Sequence, residues 1–289
     1  MIEGFSRDLD EIIHSRVSWR DYKPIELSKE DIEKIDGILR DAMKMKGPFG
    51  NQARFQLIAL VDKPKEEAKQ LGTYGMIRGA KYFIAGAVPH SDYNFEDYGY
   101  LLEYVILRCT ETGLGTCWLG GTFNKSAFSE AMKITDKEVI PAVSPVGYTK
   151  ESHGLIGGIF RFAVKAYKRN PWFEMFFDGE FGKPLTEELC DPVFRQALEW
   201  IRVGPSAQNK QPWRIVVQNN KVHFFLRAPS VENGQPRIMN FQRLDIGIAM
   251  SHFELNMKQN NVQGSWSIMN EIGFRYPSNM KYVVSWIKE

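Results

Sequence analysis

The chain is poor in the residues that build metal sites and disulfide frameworks. Its three cysteines, Cys109, Cys117 and Cys190, cannot all pair and form no Cys-x-x-Cys motif, which favours a reduced, cytoplasmic setting. Its five histidines form no His-x-x-x-His pair, so a metal site is not expected. His252 continues an apolar helical pattern, and we interpret it as a packed residue and not as a ligand.

An excess of charge of one sign and long apolar runs are also missing. The 37 basic residues nearly balance the 35 acidic ones and are mixed with them, so neither nucleic acid nor an anionic membrane is expected as a partner. No apolar run approaches the roughly 18 residues that a membrane span needs. The first residues contain no basic segment followed by an apolar one, so no secretory signal is expected. In contrast, 43% of the 289 residues are hydrophobic, which is enough for one large domain or two ordinary ones.

A degenerate repeat runs through the sequence. Residues 51–58 align without gaps on residues 209–216, where an Asn, an aromatic residue and an apolar strand recur in order. Residues 97–118 align in the same way on residues 245–266, with the Asp, the Gly, a Leu and the closing Trp identical. These two matches predict that one structural unit occurs twice.

The ends of the two matched helical patterns support the repeat. One pattern meets Gly113 and the other meets Asn261, and Gly and Asn best tolerate the left-handed conformation that ends a helix. Glycines near residue 155 interrupt the pattern between the copies. We therefore divide the chain into units 1–155 and 156–289, intertwined as one compact body, the second of them partly degenerate.

Helical and strand patterns alternate without a strict βαβ rhythm, which favours an α+β fold with helices around a central, mostly antiparallel sheet. In the first copy, one helix should end near Arg16, and Ser28 should cap a second that runs to about Met45. Further elements are predicted as strands at 55–61, 82–88 and 142–146, a long helix from Asp97 and a short helix near 126–132. The second copy should contain a strand from Ile215, a helix from Asp245 and a strand at 282–286.

Two polar segments carry the chemistry. The first, Arg16-Val17-Ser18-Trp19-Arg20, places two guanidiniums and a hydroxyl on alternate residues, so that an extended backbone can direct them at one ligand. The second, residues 205–213, reads Pro-Ser-Ala-Gln-Asn-Lys-Gln-Pro-Trp and combines a rigid turn with amides that donate and accept hydrogen bonds. Either segment alone is also typical of an ordinary loop. Their occurrence together, within the repeat, indicates a site.

The two segments resemble the Arg-x-Ser-x-Arg and Pro-Ser-x-x-Asn-x-Gln-Pro-Trp motifs of the FMN-dependent nitroreductase family, and the chain resembles its two-unit branch. In that family, the two motifs that meet at one flavin come from different subunits of a homodimer. Here each motif occurs intact once: the first-copy turn, residues 47–55, lacks the Ser and the Gln-Pro-Trp ending, and the second copy has Phe-Glu-Met-Phe-Phe at 173–177 in place of the arginines. The chain thus resembles a dimer fused into one polypeptide, with one flavin site kept and the other lost.

The resemblance also implies which residues bind FMN. In the family, the loop that matches residues 113–121 passes the flavin ring, and basic residues after the first unit contact the phosphate, for which Lys168 and Arg169 match best and Lys165 or Arg161 are alternatives. The expected FMN-binding residues are Arg16, Val17, Ser18, Arg20, Leu119, Gly120, Lys168, Arg169, Pro205, Ser206, Ala207, Asn209 and Gln211. No side chain is identified as a catalytic acid or base.

The resemblance implies an oxidoreductase that passes electrons from NADH or NADPH through FMN to a small organic acceptor such as a nitroaromatic or a quinone. Two alternatives stay open: a flavin-binding protein without turnover, and the same fold with reductive dehalogenase or flavin-destroying chemistry. A fused pair of units would complete its own site, so the protein is expected to work as a monomer.

Overall fold

The computed structural model describes residues 4–60, 73, 75–150 and 168–289. The chain divides into two compact units: the first unit comprises residues 7–166, and the second comprises residues 167–289 together with residues 1–6. The boundary predicted near residue 155, and the alternative phosphate contacts Arg161 and Lys165, lie outside the described residues.

The first unit contains four helices and five strands among its described residues. The helices are α1 (Leu9–Ser15), α2 (Lys29–Lys44), α3 (Asn94–Glu111) and α4 (Lys125–Ala131). The strands are β1 (Arg54–Ala59), β2 (Tyr82–Pro89), β3 (Gly115–Thr116), β4 (Glu138–Val139) and β5 (Val143–Gly147).

Local chemistry explains where these helices begin and end. The Ser28 hydroxyl accepts the Asp31 N–H at 3.1 Å, as the sequence predicts, and acidic residues fill the first turn of α2. Ile35, Ile38, Leu39 and Ala42 then form the single apolar stripe that α2 buries. The predicted stop after α3 is confirmed, since Gly113 has a φ of +81°.

The sheet of the first unit has the strand order β1-β2-β5-β3, and β4 pairs with β2. All its pairs are antiparallel, for example Phe55 with Gly86 and Ile84 with Ser144. Seven of the eight residues of β2 are buried, which is the burial expected of a central strand with both faces covered. A cluster around Phe83, Phe128 and Val143 forms an apolar core on this sheet.

The second unit contains three α-helices and seven strands among its described residues. The helices are α5 (Trp172–Met175), α6 (Pro192–Val203) and α7 (Asn240–Gln259). The strands are β6 (Phe176–Asp178), β7 (Trp213–Gln218), β8 (Lys221–Arg227), β9 (Ser230–Glu232), β10 (Gln235–Arg237), β11 (Gly264–Ser267) and β12 (Met280–Lys288).

The sheet of the second unit has the order β11-β12-β8-β7-β6. The aligned segments pair β7 with β1 and β11 with β3, and β8 and β12 take the places that β2 and β5 have in the first sheet, so the two sheets have the same order of matching strands. Only β6 is added, and it pairs with β7 in parallel. The predicted α+β fold with a mostly antiparallel sheet is confirmed, and Asn261, at the end of α7, has the predicted positive φ of +54°.

Several element boundaries differ from the predictions. Helix α3 begins at Asn94, three residues before Asp97, because Tyr93 is left-handed, with a φ of +56°. Strand β1 ends at Ala59, earlier than the predicted 55–61, and Val61 lies outside the described residues. Helix α6 has no counterpart among the predictions, although Asp191 caps it and a proline follows at its first position.

No helix within the described ranges is long and apolar enough to cross a membrane. His252 is fully buried, and its Nδ1 lies 2.7 Å from the Trp200 carbonyl oxygen, so it packs inside the second unit as predicted.

Candidate functional site

The predicted FMN-binding residues fall into two sets, one in each unit. The first unit holds six of them: Arg16, Val17, Ser18, Arg20, Leu119 and Gly120. The second unit holds seven: Lys168, Arg169, Pro205, Ser206, Ala207, Asn209 and Gln211.

The arginine segment of the first unit lies along the edge of the sheet. The Trp19 N–H donates to the Thr116 carbonyl at 2.8 Å, so Ser18 and Thr116 form a parallel bridge beside β3. The Arg78 N–H donates to the Arg20 carbonyl at 2.8 Å. Gly115 permits this close approach, since a Cβ there would stand 3.0 Å from the Trp19 ring and 2.0 Å from a Thr149 methyl group. Segments about 100 residues apart in the sequence are thereby brought together.

A buried carboxylate joins this segment to the following loop. Glu103, on α3, is fully buried and lies 4.0 Å from Nε of Arg16, which is itself buried. The other Glu103 oxygen accepts the Trp118 indole N–H at 2.7 Å. Glu103 thus contacts both the arginine motif and the segment that leads to Gly120.

The backbone N–H groups of Leu119 and Gly120, in the loop after β3, differ in whether the sheet uses them. The Leu119 N–H donates to the Val143 carbonyl at 2.9 Å, and the Val143 N–H returns a bond to Leu119 at 3.0 Å, so the Leu119 amide is used by the sheet. The Gly120 amide makes no backbone hydrogen bond within the described part of the chain, and Gly120 is half-buried. Of the two loop residues named by the resemblance, Gly120 is the one whose N–H suits a ligand.

Cys117 lies in the same cluster but is not poised to react. Burial raises the pKa of its thiol, and the charges of Arg20 and Arg16 and a hydrogen bond from Ser18 only partly oppose that rise. The thiol therefore stays protonated and is a poor nucleophile. The same three residues, Ser18, Arg16 and Arg20, therefore lie around the Cys117 thiol in the first unit.

The polar turn of the second unit is fastened by the segment at 168–170. The Asn209 amide donates to the Lys168 carbonyl at 2.8 Å and accepts from the Arg169 guanidinium at 3.0 Å. The Asn170 N–H donates to the Gln211 side chain at 2.8 Å, and the Gln211 N–H donates to the Ser206 hydroxyl at 2.9 Å. The residues that the sequence predicts at 168–169 and 205–211 therefore lie together.

The roles of Lys168 and Arg169 differ in this arrangement. Arg169 also donates to the Val203 carbonyl at 2.9 Å, so it braces the turn from two sides. Lys168 is exposed, and among the described residues no ion pair is formed by its ammonium group. Lys168 is thus better suited than Arg169 to meet a phosphate at this turn.

The turn adopts an unusual backbone conformation. Gln208, Asn209 and Gln211 have positive φ values of 52°, 55° and 46°. This region costs a non-glycine residue roughly 1–2 kcal/mol, less for Asn, whose side chain bonds locally. Such strain concentrates at ligand sites, where the surrounding structure holds it in place.

Two buried side chains form hydrogen bonds with the backbone of the strained turn. Arg214 donates through Nη1 to the carbonyls of Gln211, at 3.0 Å, and Trp213, at 2.6 Å. Burial, aided by the charge of Arg227, lowers the pKa of Arg214 to about 10, so it stays charged at neutral pH. Asp245, on α7, accepts the Ala207 N–H at 2.8 Å, and burial raises its pKa to about 8.

The degenerate turn of the first unit repeats one of these contacts. Asp97, which aligns with Asp245, accepts the Phe49 N–H at 2.9 Å and the Asn51 N–H at 2.8 Å, and Phe49 aligns with Ala207. The same carboxylate therefore holds the same turn amide in both units. Gly47 allows this approach, because a Cβ there would lie 2.3 Å from the Asp97 carboxylate.

The side chains of the degenerate turn are occupied by the protein itself. Asn51 bonds to Asp97 and to the Asp92 carbonyl, whereas its counterpart Asn209 contacts the segment at 168–170. Arg54 makes a bidentate ion pair with Glu138, at 2.7 and 3.0 Å, and donates to the Met132 carbonyl at 2.9 Å. The Phe49 ring stacks on Tyr93 with centroids 4.2 Å apart. The side chains of this turn are therefore engaged by neighbouring residues of the first unit.

Sequence reasoning missed four supporting residues of these clusters, and one signal could have found two of them. Asp97 and Asp245 are identical in the aligned repeat, and that identity marks their shared contact. Glu103 and Arg214 have no identical counterpart, and only the structure shows what they touch. Two grooves of the second unit, of about 480 and 510 Å³, are lined by none of the predicted site residues.

Comparison with solved structures finds similar chains. A "putative nitroreductase" from Thermotoga maritima MSB8 matches with a TM-score of 0.61 and 16% identity, over 98% of this chain and 94% of that chain. An FMN-dependent nitroreductase from Clostridium difficile R20291 matches 49% of this chain and 87% of its own at 24% identity, with a TM-score of 0.41. A "putative nitroreductase in complex with FMN" from Desulfovibrio desulfuricans matches 54% and 96% at 21% identity, also with a TM-score of 0.41.

No curated protein matches the sequence. The sequence model of the family described as "Putative TM nitroreductase" matches residues 8–257, which is most of the chain. The protein therefore belongs to this nitroreductase family and is an oxidoreductase.

Proposed function

We propose that the protein is an FMN-dependent oxidoreductase that takes electrons from NADH or NADPH and passes them to a small organic acceptor such as a nitroaromatic or a quinone. One observation carries the proposal in a chain of this family. The Arg16–Arg20 motif and the loop that ends at Gly120, distant in sequence, lie side by side in the first unit.

The residues present fit the chemistry of FMN. Its phosphate and the carbonyl edge of its ring need charged or paired donors, which Arg16, Arg20 and Lys168 supply. Its ribityl hydroxyls suit the Ser18 hydroxyl and the Asn209 amide. FMN itself supplies the electron-transfer chemistry when bound, while the protein binds and orients it. We propose that these residues bind FMN.

The visible spectrum of the purified protein tests this function. We expect a yellow protein whose flavin absorbance bleaches on addition of NADH or NADPH under argon and returns when an acceptor is added. Colour that neither nucleotide bleaches would favour the alternative of a flavin-binding protein without turnover. Loss of the flavin itself, seen by mass spectrometry of the released cofactor, would favour flavin-destroying chemistry, and halide release from a halogenated phenol would favour dehalogenation.

We expect one FMN per polypeptide. The first-unit turn is occupied by Asp97, Glu138 and its own ring stack, and the second unit has no arginine motif to complete a second site. Releasing the flavin from a known amount of protein and measuring its absorbance gives the ratio. A ratio near two would show that the degenerate turn still serves a flavin.

We also expect one chain to be sufficient for the site, so that the protein works as a monomer. The alternative is a dimer in which Arg16 of one chain completes the Asn209 turn of another. Arg16→Ala and Asn209→Ala proteins are refolded together and tested for FMN binding, with each refolded alone as the control. Restored binding in the mixture would contradict the monomer, whereas no restoration and a monomeric mass by light scattering would support it.

A further inference from the structure

The carboxylate of Glu103 lies at a position where its burial costs free energy. It is fully buried, and moving an ionised carboxylate out of water is costly unless a partner compensates it. Its contacts include the Trp118 indole N–H, at 2.7 Å, and Nε of Arg16, at 4.0 Å. The repeat allows the roles of these two contacts to be separated.

The second unit shows how the helix holds the same indole when no arginine motif is present. Trp266, which aligns with Trp118, donates its indole N–H to Glu254 at 3.2 Å. The Glu254 side chain is 20% exposed and pairs with Lys258 at 3.4 Å. The closing tryptophan of the repeat can therefore be held by a carboxylate that keeps contact with water.

The aligned positions make the contrast specific. Glu103 aligns with Ser251, and Glu254 aligns with Ile106, so the carboxylate lies about one helical turn apart in the two units. The buried position carries a carboxylate only in the unit that has Arg16. Holding the tryptophan does not explain this choice of position, whereas holding Arg16 does.

We infer that Glu103 is a positioning residue of the flavin site, which fixes the Arg16 guanidinium toward FMN and, through Trp118, ties it to the loop of Gly120. This inference rests on the proposed function, because it assumes that Arg16 binds FMN. Glu103 itself does not touch the cofactor in this scheme. Its effect passes entirely through Arg16, and that is the property to be tested.

A double-mutant cycle tests the coupling. Glu103→Gln keeps an oxygen that accepts from Trp118 and removes the charge that faces Arg16. In the otherwise native protein we expect this substitution to weaken FMN binding about tenfold, which corresponds to roughly 1.4 kcal/mol. In the Arg16→Ala background we expect the same substitution to change the FMN dissociation constant by less than about twofold, because contacting residues are not additive. Titration of apoprotein with FMN, followed by fluorescence quenching, measures all four constants.

Controls distinguish a failure of the inference about Glu103 from a failure of the proposed role of Arg16. Glu138→Gln removes the carboxylate that pairs with Arg54 in the same unit, and FMN affinity should stay unchanged. Equal weakening by Glu103→Gln in both backgrounds, or none in either, would show that Glu103 does not act through Arg16. Undiminished FMN binding by Arg16→Ala alone would instead overturn the proposed role of Arg16 and this inference with it. If Glu103→Gln does not fold, Glu103→Asp, which draws the charge away from Arg16, should give the same pattern.

Discussion

Replacement of Arg16 by alanine is expected to weaken FMN binding about ten- to a hundredfold. The substitution removes a charge-assisted hydrogen bond, which contributes roughly 1.5–3 kcal/mol. Arg54→Ala is the matched control, because Arg54 also pairs with a carboxylate of the first unit but lies in the degenerate turn. We expect the Arg54→Ala protein to keep FMN affinity within about twofold of the native value. Equal losses in the two variants would contradict the assignment of Arg16 to the flavin.

The measurement must distinguish lost binding from lost folding. Arg16→Ala leaves Glu103 buried without this cation, and breaking such a pair costs about 3–5 kcal/mol of stability. Thermal unfolding of each apoprotein by circular dichroism shows how much folded protein each titration contains. Arg16→Lys retains the charge but not the two-pronged donor, so its FMN affinity should lie between those of the native and alanine proteins.

Stability is expected to fall as the pH rises from 6.5 to 8, and Asp245→Asn should remove most of that fall. An unfolded Asp ionises near pH 3.9, whereas burial raises the pKa of Asp245 to about 8. The folded state therefore binds more protons between these values, and the free energy of unfolding falls by at most about 1.4 kcal/mol per pH unit. Over this window the loss is at most about 2 kcal/mol.

The window is chosen so that other buried groups contribute little. Burial raises the pKa of Asp97 to about 6, so most of its contribution is lost by pH 6.5. Burial lowers the pKa of His223 to about 4, so it changes stability mainly below about pH 6.5 and has only a small effect, of opposite sign to that of Asp245, above it. Urea unfolding at several pH values gives the slope, and Asp97→Asn is the control that should keep it. An unchanged slope in Asp245→Asn would show that Asp245 is not the group that titrates.

The fold was predictable where local chemistry repeats. Ser28 before an amphipathic run and Gly113 and Asn261 after two aligned helices are local signals, and the structure has these ends as predicted. The start of α3 was not predictable, because it depends on the left-handed Tyr93, a residue type that rarely adopts this conformation. The parallel pairing of β6 with β7 was not predictable either, because it depends on contacts between distant segments.

The candidate site was predictable in its motifs but not in their support. Pattern and spacing name Arg16, Ser18 and Asn209, because ligand chemistry restricts those residue types. Glu103 supports Arg16 from a helix 87 residues further along the chain, and no pattern in the sequence joins the two. The hydrogen bond from the Leu119 N–H to the Val143 carbonyl likewise depends on how the loop pairs with β5. Which residues contact FMN remains a prediction that the experiments above test.

The burial of the three cysteine thiols affects how readily they are oxidised when the protein is exposed to dioxygen. Reduced flavins that meet dioxygen generate hydrogen peroxide, and peroxide attacks the thiolate form of cysteine. Burial raises the pKa of Cys109 to about 12 and that of Cys190 to about 11, and it also raises that of Cys117 beside the arginines. All three are buried and stay protonated at neutral pH, so the protein presents no reactive thiol to the oxidant that its own idle turnover would release.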